Sequence, residues 1–138
     1  MSDKPDKFVE AVTKLIRLTQ AGDLKWSAAQ TDRDISREDL KIESVFVTRY
    51  KDRILRLSKY SYMIQEPGLY DLLSSHTYYA AGKPKYPYWQ SSITLEFIDD
   101  DGRTLWTFPY TKALNDLLEA VKYQVAGVDQ FLKEILEE

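Results

Sequence analysis

The chain has 138 residues, 43% of them hydrophobic and 30% charged, with a formal net charge of −3. That length and balance describe one domain, residues 1–138, and leave no room for a second core. The acidic balance argues against general nucleic-acid binding, and the absence of cysteine excludes disulfides, thiol catalysis and cysteine-ligated zinc. The opening Met-Ser-Asp-Lys-Pro has no signal-like apolar region and no run is long enough to cross a bilayer, so a cytoplasmic location without membrane contact is expected.

Residues 4–21 place Phe8, Val12, Leu15 and Thr19, with Val9 and Ile16 alongside, on one face at helical spacing. Pro5 suits the first turn, and Gly22 followed by Asp23 supplies a left-handed stop. Residues 24–28 read as a short first strand, and the polar stretch 31–41 as a solvated connection. Residues 44–50 and 53–62 form a hairpin about Lys51-Asp52, with Val45 and Val47 alternating with Phe46 and Thr48, then Leu55 and Leu57 alternating with Arg56 and Ser58.

Residues 66–91 break the pattern, punctuated by Pro67, Gly68, Gly82, Pro84 and Pro87. A second hairpin follows: Ile93, Leu95 and Phe97 share a face opposite Thr94 and Glu96, and Leu105 alternates with Trp106 and Phe108. The link Asp99-Asp100-Asp101-Gly102-Arg103 has the chemistry of a tight turn. It lacks the D-x-D-x-D-G spacing of a calcium loop, and adjacent carboxylates on a turn diverge, so no metal site is expected. Thr111 is placed to cap a long helix over 112–137, with Leu114, Leu118, Val121, Val125, Val128, Leu132 and Ile135 in its stripe. Such a helix would run roughly 39 Å, against about 17–20 Å for a typical strand. It either bends at Ala126-Gly127 or overhangs the sheet and needs a partner.

This order predicts an α+β fold: an antiparallel sheet of about five strands with an N-terminal helix and a long C-terminal helix, α-β-β-β-insertion-β-β-α. Three segments, LTQAGDLKW at 18–26, DDGRTLWTFP at 100–109 and LNDLLEAVKYQVAGVDQFL at 114–132, resemble a broadly distributed group of small uncharacterised bacterial proteins. The resemblance implies a bacterial or bacteriophage source and a single compact domain. It implies no activity, cofactor or catalytic residue.

Chemistry has little to work with. His76 is the single histidine, and Ser74-Ser75-His76 lacks the G-x-S-x-G elbow that would present a nucleophile to a base. Phosphate-binding glycine loops are absent as motifs. No catalytic residue, metal or cofactor is therefore assigned, and the protein is expected not to be an enzyme. Two clusters remain as binding candidates. Tyr78, Tyr79, Tyr86, Tyr88 and Trp89, with Lys83 and Lys85, crowd the irregular segment, where they could grip a protein partner, stack a nucleotide-like ligand, or pin the loop to the sheet. Arg49, Arg53 and Arg56 make the first hairpin basic, for phosphate binding or for protection of a sheet edge.

The expectation is a small interaction module, homodimeric through Val125, Val128, Leu132 and Ile135, with the aromatic segment for its partner. The competing expectation is a ligand-sequestering protein that holds a nucleotide-like molecule between the aromatic segment and the basic hairpin. A hydrolase or transferase using Ser75 or His76 is the weakest alternative.

Overall fold

The computed structural model describes residues 6–29, 38–65 and 86–137. Helix α1 (Lys7–Ala21) leads to β1 (Ser27–Ala28), β2 (Leu40–Tyr50), β3 (Arg53–Ile64), β4 (Tyr88–Ile98), β5 (Thr104–Thr107) and two helices, α2 (Ala113–Ala126) and α3 (Val128–Leu136). The strands form one antiparallel sheet in the order β1-β2-β3-β4-β5, which is the predicted α+β arrangement.

Helix α1 begins where Asp6 accepts the Phe8 N–H at 2.8 Å, and it ends at Gly22, whose φ of 81° directs its N–H back to the Leu18 and Thr19 carbonyls. Pro5 lies outside the described residues. The helix buries Val12, Leu15 and Thr19 against a core of Leu55, Leu57, Ile93 and Leu95 from the sheet and Leu114, Leu117, Leu118 and Val121 from α2.

The first hairpin turns at Lys51-Asp52, but the inward face of β2 is carried by Phe46 and Thr48, and Val45 and Val47 are only half-buried. Register decides this, because Phe46 lies opposite Leu57 and Thr48 opposite Leu55, the two buried leucines of β3. Arg49, of Val47's parity, is thus on the face away from the core. Strand β4 begins at Tyr88, inside the stretch expected to be irregular, because Tyr88, Trp89, Gln90 and Ser91 pair with Ile64, Met63, Tyr62 and Ser61. The second hairpin follows its alternation. Asp99 accepts the N–H groups of Asp101 and Arg103 through one carboxylate oxygen, at 2.9 and 2.8 Å, and Gly102 takes φ 84°.

The predicted single C-terminal helix is broken. Gly127 adopts φ 71° and closes α2 by donating to the Tyr123 and Gln124 carbonyls, and α3 starts afresh at Val128. The Thr111 hydroxyl accepts the Ala113 N–H at 3.4 Å, while Lys112 occupies the cap position. Leu114, Leu117, Leu118 and Val121 of α2 are buried, whereas no residue of α3 is. The expected stripe therefore stops at Val121 as a buried element, and the chain turns at Gly127 before the exposed distal helix.

A polar clamp fixes the end of α2. Gln124 Nε2 donates to the Thr19 and Leu24 carbonyls at 2.9 and 2.8 Å, and its Oε1 accepts the Trp26 N–H at 2.8 Å. The Trp26 indole donates to Thr19 Oγ1 at 3.0 Å, and the Thr19 hydroxyl donates to the Leu15 carbonyl at 2.7 Å. With the last turn of α2 tied to α1 and to the approach to β1, the place where α3 departs is fixed as well.

Candidate functional site

The sheet distributes the predicted basic cluster instead of gathering it. Arg56 lies on the face away from the helices, where its Nε donates to Glu96 Oε1 at 2.8 Å and its two terminal nitrogens donate to the Gly102 carbonyl and Thr104 Oγ1, each at 3.0 Å. Thr104 in turn donates to Glu96 Oε2 at 2.9 Å. Glu96 is 9% exposed, so the guanidinium serves to keep a nearly buried carboxylate satisfied. Arg53, of opposite parity, lies over the Phe97 ring at 5.6 Å. Arg49 reaches Asp100 at 3.5 Å with both side chains largely in water. No pair of these three arginines is directed at a common point, because alternation sends Arg53 to the other face and the local carboxylates engage the remaining two.

The aromatic cluster is divided in the same way. Tyr78, Tyr79, Lys83 and Lys85 lie outside the described residues, as do Ser74, Ser75 and His76. Tyr86 and Tyr88 hold their rings 5.4 Å apart. Trp89, the next residue of the strand, points to the opposite face, is 39% exposed and carries the Lys41 ammonium 4.5 Å above its ring. Tyr88 and Trp89 are thus strand residues on two faces of β4 and do not form one stacking platform. Tyr60 and Tyr62, not singled out in the sequence, add a further ring pair at 6.1 Å on the Tyr88 face of the sheet. Their even spacing in β3 is the signal that would have found them.

The C-terminal candidates lie on both sides of the Gly127 break. Leu132 and Ile135 are 40% and 50% exposed on α3, Val128 is half-buried at its start, and Val125 is exposed on the last turn of α2. Phe131 and Leu136, not singled out in the sequence although they stand three and eight residues after Val128, are 58% and 79% exposed on the same helix. Spacings of one, three and four residues put Phe131, Leu132, Ile135 and Leu136 on one side of α3.

Two grooves flank α2. The larger, about 830 Å³, runs between α1 and α2 with Ile16, Ala113, Ala120 and Val128 among its lining and with Asp116, Glu119 and Asp129 at its margin. Tyr123 donates to Asp129 there at 2.6 Å, and that carboxylate pushes the phenol above its ordinary pKa. The smaller, about 480 Å³, lies between β4 and the first turns of α2. Among the described residues no group of histidine and carboxylate side chains is arranged to hold a metal ion, and no helix is long and apolar enough to cross a membrane.

Comparison with known protein families, with characterised proteins and with solved structures finds no match to this chain.

Proposed function

We propose that the chain is a non-enzymatic interaction module that works as a homodimer joined through α3. The observation that carries this reading is the state of that helix: nine residues, amphipathic, with Phe131, Leu132, Ile135 and Leu136 between 40% and 79% exposed and no residue buried. Isolated helices shorter than about 12–15 residues are marginal in water. A helix this short therefore draws its stability from packing, and within the described chain none of its residues is buried.

A second copy fits that face better than an arbitrary surface does. An uninterrupted apolar stripe is complementary to itself, and a two-fold axis buries it on both chains at once without leaving an open end. Val128 begins the helix at Gly127, directly after the end of α2 that the Gln124 clamp holds in place. Mixed charges at its margin, Asp129, Lys133 and Glu134, offer a polar rim around an apolar centre.

The absence of cysteine makes the test simple. A spin label on Lys133→Cys reports the distance between copies. Paired helices pack about 8–10 Å apart, so the two labels are expected within roughly 30 Å of each other. Absence of dipolar coupling at concentrations where the protein is dimeric would place the contact elsewhere.

A further inference from the structure

Strand β4 is eleven residues long, and β5 pairs only with its last part. Glu96 lies opposite Thr107 and Phe97 opposite Trp106, and the Phe108 N–H donates to the Leu95 carbonyl at 2.8 Å. Pro109 comes next and has no N–H with which to extend a ladder, and the chain leaves for α2. From 88 to 94, no described strand pairs with this side of β4. Alternate residues of an antiparallel strand turn both N–H and C=O to the same neighbour. Leu95 and Phe97 turn theirs toward β5, so Ile93, Ser91 and Trp89 turn theirs toward the open side, while Thr94, Ser92 and Gln90 are committed to β3.

Natural sheet edges are blunted by charge, proline, bulges or a covering element. Residues 88–94, YWQSSIT, contain no charged residue and no proline. Their pairing with β3 has no register shift. Among the described residues this edge is therefore free of bulges, uncharged and seven residues long, about 23 Å at 3.3 Å per residue. The 480 Å³ groove borders it, with Ser91 and Ile93 of β4, Asn115, Asp116 and Glu119 of α2 and Lys59 of β3 among its lining. A strand edge beside a helix is the geometry of peptide capture by strand addition: main-chain bonds supply affinity and the helix wall reads alternate side chains.

We propose that this edge takes an extended peptide of a partner protein as an added strand, with a lysine or arginine of the peptide directed at Asp116 and Glu119. A second copy adding its own β4 across a two-fold axis would set acidic wall against acidic wall, whereas a cationic peptide meets opposite charge. The groove is at the first turns of α2 and α3 departs from its last, so peptide binding and dimerisation are separable.

Amide exchange in dilute full-length protein is the first test. Trp89, Ser91 and Ile93 exchange fast, and Gln90, Ser92 and Thr94 slowly. Protection of the first three in the free chain overturns the proposal: if independent of concentration, the chain covers its own edge, and if dependent, a second copy does. The second test selects binders to the full chain from a display library of random seven-residue peptides. The selected peptides carry lysine or arginine and bind roughly tenfold or more weakly to Ser91→Pro, which removes an N–H aimed only at the open side, where strand edges accept proline. Asp116→Asn/Glu119→Gln, both exposed on the helix, weakens them several-fold and controls for damage by proline. A library that yields no binder, or binders indifferent to all these substitutions, overturns it.

Discussion

Helices α2 and α3 stand either side of one glycine and carry apolar residues at similar spacing, yet Leu114, Leu117 and Val121 of α2 have no accessible surface while Leu132 and Ile135 of α3 are 40% and 50% exposed. The difference lies in what is underneath: α2 has the sheet and α1, and α3 begins after the clamp that ends α2. An amphipathic pattern says that a face wants burial and does not say by what. Reading the partner requires the third dimension, and here the same periodicity serves a core in one helix and an open surface in the next.

Substitutions should separate the two helices by size of effect. Leu117→Ala removes a fully buried side chain, and urea denaturation should register a loss of about 4 kcal/mol. Arg56→Ala is expected to cost about 3 kcal/mol, because the Glu96 carboxylate keeps its place at 9% exposure without its guanidinium; replacing both by methionine and leucine should recover most of that. Gln124→Ala strips three hydrogen bonds from the clamp and should cost about 2 kcal/mol, with faster amide exchange at Trp26 as its local signature. Gly127→Ala meets no atom within 4 Å but must hold φ 71°, so a cost of about 1 kcal/mol is expected from backbone conformation alone. At the small end, Leu132→Ala should change the unfolding free energy of dilute protein by less than about 0.5 kcal/mol. A loss comparable with that of Leu117→Ala would mean that α3 belongs to the core and would erase the contrast.

Local chemistry made much of the fold legible. Gly22 ended the first helix, Lys51-Asp52 and the Asp99–Gly102 link turned the hairpins, and the alternation of Ile93, Leu95 and Phe97 set the inward face of β4. Strand β2 was ambiguous because both of its parities are apolar, and only pairing with Leu55 and Leu57 selects Phe46 and Thr48 for the core. Tyr88 and Trp89 looked like loop residues beside Pro84 and Pro87, since a strand start has no marker of its own and depends on partners in β3. The candidate site was less legible. Arg56 and Glu96 lie forty positions apart in sequence, and nothing short of sheet register reveals that this cation is already engaged. The spacing of Phe131 and Leu136 from Leu132 and Ile135 was open to reading, but their exposure was not, because the helix is broken where Gly127 takes a left-handed conformation that glycine permits but does not require.

Sedimentation equilibrium of the full chain over the micromolar range, with and without Leu132→Glu/Ile135→Glu, bears most directly on dimerisation through α3. The wild type should sediment at twice the chain mass, and the double variant at the single-chain mass with an unchanged urea midpoint in dilute solution. A wild type that stays monomeric throughout, or a double variant that still dimerises, would contradict it.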